Sequence, residues 1–223
     1  MTFENAIDLI CFDVDGTLVR HPAGMVIWEV LNIRFGGSAK RNRERYAMYR
    51  DGRISYAGWV QLDVEDWLAV GASRQDILEC VREFDLVAGA RDTVNELARR
   101  GFELGVISGT LDIVLDTLFP DHPFGEVHTN KIYFDEEGNL TAYQATPYDG
   151  QGKPTALRAM AGRHGIPLKR CAFIGDGEND VPLLGVPGCF VAYRPKSPTL
   201  AAGADIVIRE EGLHSLLDLF NRA

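Results

Sequence analysis

The chain has 223 residues, of which 46% are hydrophobic and 25% are charged, and its net charge is −9. This composition is ordinary for a globular protein with one good core and a smaller module. A nucleic-acid binder must neutralise backbone phosphates with lysine and arginine, so this acidic chain is a poor candidate for that class. A small anionic substrate is compatible with it, since a metal and a few local cations can reverse the charge within one pocket.

Cysteine usage and the lack of targeting segments favour a cytoplasmic protein. The four cysteines form no CxxC pair, and Cys11 and Cys171 lie in apolar strand patterns, which favours buried, reduced thiols. The sequence shows no basic region followed by a long apolar one at its start. No apolar run approaches the ~20 residues needed to cross a bilayer. We therefore expect neither a nucleic acid nor a membrane as partner.

The first predicted strand ends in two aspartates. Residues 9–12 form a short apolar run, which predicts a buried strand, and Gly16 follows it with a tight turn. Side chains two apart on a strand face the same way, so Asp13 and Asp15 project together beyond its carboxyl end, where open α/β sheets bind ligands. Two crowded carboxylates favour a hard cation, Mg²⁺ first, although a plain polar turn would use the same residues.

A helical segment follows this strand. Glycine breaks, apolar spacing and serine caps predict helices at residues 25–35, 38–50, 56–70 and 73–84. No strand pattern interrupts this segment. We therefore expect a small helical module at residues 19–85, inserted into a core domain formed by residues 1–18 and 86–223.

Helices and strands alternate in the second half of the chain. The pattern predicts strands at residues 102–107, 127–134, 140–143, 171–174, 189–192 and 206–208. It predicts helices at residues 90–100, 111–118, 153–164 and 213–220. This alternation is typical of an α/β fold with a parallel sheet and helices on both faces.

Polar residues stand at three of the predicted strand ends and at one helix start. Because the carboxyl ends of parallel strands lie at one edge of a sheet, these residues should meet in one pocket. The pocket would combine carboxylates, a hydroxyl, an ammonium and exposed backbone amides, which is what phosphoryl transfer needs. The residues are Asp13, Asp15, Ser108, Gly109, Lys153, Asp176, Asn179 and Asp180.

The motifs at these positions resemble those of a known family. Residues 13–18 (DVDGTL), residues 108–110 (SGT), Lys153 and residues 175–180 (GDGEND) resemble the four ordered motifs of the haloacid dehalogenase superfamily. The last motif and the helical insert resemble its phosphoserine-phosphatase-like branch. The resemblance implies a Rossmann-like parallel sheet with a helical cap after the first strand. It also implies a Mg²⁺-dependent phosphatase that hydrolyses a small phosphorylated metabolite through an aspartyl-phosphate.

The resemblance also implies catalytic roles. Asp13 would be the nucleophile, and Asp15 would protonate the leaving oxygen and then accept a proton from water. Such a two-stage reaction divides one difficult chemical step into two easier ones. Ser108 and the amide of Gly109 would hold phosphate oxygens. Lys153 would neutralise charge on both the phosphate and Asp13.

The same resemblance implies the ligands of the metal. Asp13, the backbone carbonyl of Asp15, and Asp176 would hold Mg²⁺. Asp180 would be a further ligand or would orient the others, and Asn179 would help to position the phosphate or the lysine.

Three of these assignments have simpler alternatives. Ser108 could cap the helix that follows it. Lys153 could be a solvated lysine before a proline. Asp180 could favour a helix start through the helix dipole.

The resemblance is weaker in the helical cap. Phosphoserine phosphatases contact the serine part of the substrate with a cap glutamate and a cap arginine, and an ungapped alignment places Pro22 and Asp63 there. Neither residue can bind the serine part of a substrate in that way, so the sequence does not identify the substrate. Arg53 and Trp59 are our candidates for cap residues that contact it. Residues 40–45 form a locally basic run, which is either a solvated helix face or a guide for an anionic substrate.

Three other functions share part of this pattern. A phosphotransferase or mutase would use the same aspartyl-phosphate. A dehalogenase would use the nucleophilic aspartate without a metal, which the acidic cluster argues against. A receiver-like phospho-aspartate signalling module would have neither the large cap nor Asp15 two places after the nucleophile. The sequence does not indicate an oligomeric state.

Overall fold

A seven-stranded sheet forms the centre of the computed structural model, which describes residues 7–36 and 38–221. In chain order the strands are β1 (Leu9–Phe12), β2 (Val19–Arg20), β3 (Asp85–Leu86), β4 (Glu103–Leu111), β5 (Glu126–Phe134), β6 (Leu140–Gln144), β7 (Cys171–Gly175), β8 (Cys189–Tyr193) and β9 (Ile206–Ile208).

Helices cover both the sheet and the segment after β1. Short 3₁₀ helices at Gly150–Gly152, Leu168–Arg170 and Glu178–Leu183 join other elements. The α-helices are α1 (Ile27–Arg34), α2 (Ala39–Arg50), α3 (Tyr56–Ala69), α4 (Arg74–Val81), α5 (Ala90–Arg99), α6 (Asp112–Leu118), α7 (Lys153–Arg163), α8 (Pro198–Gly203) and α9 (Leu216–Leu219).

The order of the large sheet is β6-β5-β4-β1-β7-β8-β9. All neighbouring strands run parallel except β5 and β6, which are antiparallel. At the centre, Phe12 of β1 is paired with Val106 of β4 on one side and with Ile174 of β7 on the other. This register aligns the carboxyl ends of three strands, and the sheet confirms the predicted α/β fold.

The core lies on both faces of the sheet. Ile10 and Phe12 point into a large apolar cluster that continues into the helical segment. Leu9 and Cys11 point into a second cluster with α7 on the opposite face. This is the alternation that a strand buried on both sides requires. The four cysteines are buried and unbridged.

The helical segment contains α1 to α4, close to the predicted helices. Ser38, Ser55 and Ser73 each accept a backbone N–H at a helix start, as their positions predicted. The boundaries of two separate domains remain a prediction. Within the described part of the chain, no helix is long and apolar enough to span a bilayer.

Two strands that the sequence did not predict join the helical segment to the sheet. Val19 pairs with Leu86 and Arg20 with Asp85, so β2 and β3 form an antiparallel ribbon at the point where the chain leaves the core and returns. Further differences from the prediction lie in the second half of the chain. Strand β4 continues through Leu111 with a register shift after Ile107, α8 was not predicted, and the last helix is shorter than expected.

Candidate active site

A buried ion-pair cluster lies at the carboxyl edge of the sheet. The ammonium nitrogen of Lys153 lies 2.7 Å from a carboxylate oxygen of Asp13 and 2.6 Å from one of Asp180. All three residues are at most 2% exposed. Burial alone lowers the pKa of Lys153, but the two carboxylates outweigh burial, so the net pKa is raised and the lysine stays charged. The structure thus brings together three predicted residues that are far apart in sequence.

Local structure explains how these residues meet. Asp13 extends β1, and its backbone N–H donates to the carbonyl of Ile174 in β7 at 2.9 Å. Lys153 opens α7 directly after the 3₁₀ turn Gly150–Gly152. Gly175 ends β7, and a Cβ at that position would collide with the carboxylate of Asp180. The first glycine of the GDGEND motif therefore makes room for the aspartate five residues later.

Asp15 lies at the same edge in a different environment. It is partly buried, and one of its carboxylate oxygens accepts the backbone N–H of Ile27 at the start of α1, at 3.4 Å. Burial, followed by the nearby charge of Asp13, raises the pKa of Asp15 to about 7. A carboxyl group with such a pKa can hold and release a proton near neutrality, which suits a general acid and base.

Three carboxylates at this edge can approach one cation. Oxygens of Asp13, Asp176 and Asp180 lie within 4.8 Å of one another, and all three side chains are buried. Burial raises the pKa of Asp176 to about 6, and it also raises that of Asp180 above its usual range. A cation would offset this cost of keeping the charged forms buried. The all-oxygen donor set fits Mg²⁺.

The contacts of Asp180 distinguish it from the other two carboxylates. One of its oxygens contacts the ammonium of Lys153, and the other accepts the backbone N–H groups of Asp176 at 3.0 Å and Gly177 at 3.1 Å. Both oxygens are therefore occupied by this protein's own donors. This arrangement favours orientation of the lysine and of the Asp176 loop over direct binding of a metal.

Gly16 and Lys196 lie against Asp176. The backbone of Gly16 has a φ of +90°, and a Cβ there would collide with the Asp176 carboxylate. The ammonium of Lys196 lies 2.9 Å from an oxygen of the same carboxylate. Gly16 therefore serves both the turn after β1 and the close approach of Asp176.

The predicted phosphate-binding loop is held by backbone contacts. Ser108 is 2% exposed, and its hydroxyl oxygen accepts the backbone N–H of Thr110 at 3.2 Å. The carbonyl oxygen of Gly109 accepts the indole N–H of Trp28 from α1 and the amide of Asn130 from β5, each at 2.7 Å. Because a peptide unit is planar, these two donors also fix the direction of the Thr110 N–H towards Ser108.

A cavity of about 350 Å³ lies between this edge and the helical segment. Asp13 lines the cavity, and Lys153, outside the lining, contacts both Asp13 and Asp180. Asn179 lines the cavity and donates to Asp149 at 2.8 Å. The other predicted residues in its lining are Asp13, Asp15, Trp59, Ser108, Gly109 and Asp176.

One predicted cap residue lies elsewhere. Arg53 does not line this cavity; its side chain is 60% exposed and lies 3.7 Å from Asp51 in the turn after α2. The turn directs this arginine to solvent, so the structure does not support Arg53 as a substrate contact.

The basic run at residues 40–45 divides into two kinds of residue. Lys40 pairs with Glu44, and Arg41 pairs with Asp66 at 2.7 Å, on the outer side of the cap. Arg43 lines the cavity instead. The run is therefore a solvated face in part and a cavity wall in part.

Asp63 has a structural partner. It is fully buried, and its carboxylate accepts from Arg45 at 2.5 Å. Asp66 accepts from the same guanidinium at 2.7 Å. Arg45, the cation beside Asp63, thus connects α2 to α3 and does not line the cavity.

The sequence did not single out several residues of the cavity lining. The signal for part of the set was available, because residues 43 and 46 are one turn apart and share a face of a helix. The missed residues are Gly24, Val26, Trp28, Glu29, Tyr46, Asp149 and Lys196.

Comparison with known proteins gives consistent matches. A family model for haloacid dehalogenase-like hydrolases matches residues 10–185. Phosphoserine phosphatase SerB2 of Mycobacterium tuberculosis is 33% identical over 212 residues, which are 95% of this chain and 50% of that protein. The phosphoserine phosphatase of Methanocaldococcus jannaschii is 27% identical over 221 residues, covering 96% of this chain and 98% of that protein.

Solved structures share the fold. A phospho-aspartyl intermediate analogue of phosphoserine phosphatase superposes with a TM-score of 0.76 at 23% identity, covering 97% of this chain and 100% of that one. The chain spans about half the length of two of its curated relatives, those of Mycobacterium tuberculosis and Streptomyces coelicolor. The similarity to these two relatives therefore covers only part of their own length.

Proposed function

Because this chain belongs to the haloacid dehalogenase-like hydrolase family, we propose that it is a Mg²⁺-dependent phosphatase acting on a small phosphorylated metabolite. The observation that carries the proposal is the buried contact of Lys153 with Asp13 and Asp180 at the floor of the cavity. A charged lysine fixed there holds one oxygen of Asp13 and leaves the other for attack on phosphorus. Its positive charge also attracts the phosphate dianion.

The proposed reaction has two steps. The second oxygen of Asp13 attacks phosphorus, the bond to the leaving alcohol breaks, and Asp15 donates a proton to the departing oxygen. Water then gives a proton to Asp15 and attacks the aspartyl-phosphate, which releases phosphate and restores Asp13. The raised pKa of Asp15, about 7, suits both proton transfers.

Ser108 and Gly109 would position the phosphate during both steps. Their loop is fixed by the donors on the Gly109 carbonyl, so the hydroxyl and amide are in place before the substrate binds. Fixed donors cost no reorganisation during the reaction.

The metal would be held by Asp13, the backbone carbonyl of Asp15, and Asp176. When bound, Mg²⁺ supplies positive charge that neutralises phosphate oxygens. Asp180 would act by orienting Lys153 and the Asp176 loop, because both of its oxygens are already occupied.

Relatives named phosphoserine phosphatases make phosphoserine one compound to test. The cap of this chain supports testing other phosphomonoesters as well. Arg45 is held in a buried pair with Asp63 and does not line the cavity, where a substrate carboxylate would have to be bound. We therefore propose a small phosphomonoester without assigning the amino acid ester.

The test is a panel of phosphorylated metabolites assayed for phosphate release with Mg²⁺. Asp13→Asn should abolish turnover and remain folded by circular dichroism, while Asp218→Asn, an exposed aspartate on α9, should keep full activity. EDTA should stop the reaction and Mg²⁺ should restore it. Full activity of the Asp13 variant would remove the mechanism.

The same panel, extended with acceptor alcohols and haloacids, separates the alternatives. Turnover that requires an added acceptor alcohol would identify a phosphotransferase. Turnover of haloacids that is indifferent to EDTA would identify a dehalogenase, and a long-lived phosphoryl adduct would identify a signalling module.

A further inference from the structure

Part of the cavity lining is apolar and rich in rings. We define the ring-lined subsite by its wall residues Val26, Trp28, Tyr46 and Trp59. We propose that this subsite binds a planar aromatic or heteroaromatic ring in the alcohol part of the substrate. The inference rests on the proposed phosphatase function, and it assigns the substrate to the class of ring-bearing phosphomonoesters.

The rings of the wall are fixed in place by the structure. The indole of Trp28 donates to the Gly109 carbonyl at 2.7 Å and packs on Trp67 at 5.2 Å between ring centroids. Trp59 stacks on Tyr49 at 5.6 Å and contacts Tyr46 at 5.5 Å. Rigid aromatic walls lose little entropy when a ring binds between them.

Tyr46 stands at the open side of the subsite. It lies on α2, lines the cavity and is 38% exposed. After burial, the nearby carboxylate of Glu178 raises the pKa of the Tyr46 phenol, consistent with a ring that reaches towards the core. A ligand ring can therefore contact this side chain without disturbing the cap.

Acidic groups that could bind the ammonium of an amino acid are already engaged. Glu29 accepts the backbone N–H of Val26 at 3.1 Å, and Asp149 accepts from Asn179 at 2.8 Å. Glu178 accepts from the hydroxyl of Ser197. Each of these carboxylates therefore already accepts a hydrogen bond from the protein on one oxygen, and the rings beside them leave an apolar surface for an uncharged group.

Arg43 is the remaining cation of the cap wall. Among the described residues it forms no ion pair, unlike Lys40, Arg41 and Arg45 of the same helix. A guanidinium beside a bound ring gains cation–π attraction, so Arg43 is compatible with the proposed ligand. The cavity of about 350 Å³ also falls within the range of pockets that enclose ring-bearing ligands, roughly 300–1,000 Å³.

The test compares two esters that differ only in the ring. Benzyl phosphate and cyclohexylmethyl phosphate have the same number of carbons and a primary alcohol as leaving group, but only the first is aromatic. We expect kcat/KM for benzyl phosphate to exceed that for cyclohexylmethyl phosphate about tenfold, and to exceed that for phosphoserine as well. A tenfold ratio corresponds to about 1.4 kcal/mol.

Variants locate the preference. Trp59→Leu and Tyr46→Leu should bring the ratio close to one through a higher KM for benzyl phosphate, with kcat little changed. Tyr46 is 38% exposed, so its variant should fold even if the Trp59 variant does not. Tyr133→Leu, which changes an exposed ring on β5 outside the cavity, should leave the ratio unchanged.

Binding separates this inference from the phosphatase proposal. Calorimetric titration of Asp13→Asn with each ester measures the subsite without turnover, and benzyl phosphate should bind about tenfold more tightly. Equal affinities, or a ratio unchanged in the Tyr46 variant, would overturn the ring-lined subsite even if all esters are hydrolysed. A preference in binding with no hydrolysis of any ester would support the subsite and refute the phosphatase.

Discussion

Replacing Lys153 by methionine tests the buried charge cluster directly. Methionine keeps the length of the side chain but removes the ammonium that lies 2.7 Å from Asp13 and 2.6 Å from Asp180. Two buried carboxylates then face each other without a cation, and breaking a buried pair in this way costs about 3–5 kcal/mol. In a chain of this size 1 kcal/mol shifts Tm by about 2–4 °C, so we expect Tm to fall by about 6–20 °C at pH 7 in EDTA.

The pH dependence of this loss follows from the carboxylates. Asp180 has a pKa raised by burial, so its contribution to stability is present below its usual pKa near 4 and is lost as pH rises through the raised value. Without the ammonium its pKa rises further. The deficit of the Lys153 variant should therefore be smaller at pH 5 than at pH 7, when measured by differential scanning calorimetry.

Two further variants complete the experiment. Adding Asp180→Asn to Lys153→Met removes one of the two facing carboxylates and should recover part of the lost Tm at pH 7. Lys131→Met changes an exposed lysine on β5 and should alter stability by no more than about 0.5 kcal/mol. If Lys153→Met melts within about 2 °C of the parent at pH 7 in EDTA, the cluster does not hold buried charge and the reasoning is refuted.

Three other predictions concern the metal and the loop. Gly16→Ala should weaken Mg²⁺ binding in calorimetry, because the added methyl group would meet the Asp176 carboxylate. Gly24→Ala is the control, since Gly24 also has a positive φ but has open space around it, and this variant should bind Mg²⁺ like the parent. Equal weakening in both variants would contradict the prediction. Trp28→Phe should lower the free energy of unfolding, measured in urea, by only about 1 kcal/mol, because the Gly109 carbonyl keeps the Asn130 amide as a donor. An unchanged free energy of unfolding would show that the indole hydrogen bond is dispensable. Mg²⁺ should raise Tm more at pH 8 than at pH 5.5, because the pKa of Asp176 is raised to about 6 by burial and this carboxyl retains its proton at the lower pH. Identical shifts in Tm at the two pH values would argue against Asp176 as a ligand.

The sequence was sufficient to predict the floor of the site. A short apolar strand ending in Asp13, and another ending in Gly175, are local patterns, and parallel pairing places such ends at one edge. Lys153 could be placed there because a helix start between two such strands lies at the same edge. The ion pairs among these residues follow from the order of the strands and helices, which the apolar periodicity of the sequence indicates well.

The cap wall could not be predicted in the same way. Which face of α2 meets the core depends on how the cap is oriented over the sheet, and no local pattern distinguishes Arg43 from Arg53. The pairing of Arg45 with Asp63 is likewise a tertiary contact between two helices. Strands β2 and β3 contain two residues each, too few to show an alternation of apolar and polar positions.

The short ribbon of β2 and β3 has a consequence for how proteins of this shape can diverge. Val19 and Leu86 are directly paired, so the helical segment begins and ends at neighbouring points on the core. A segment anchored in this way can be lengthened, shortened or replaced without shifting the register of β1 against β4 and β7. Natural variation can therefore alter which molecules are admitted while the residues that carry out the chemistry keep their positions.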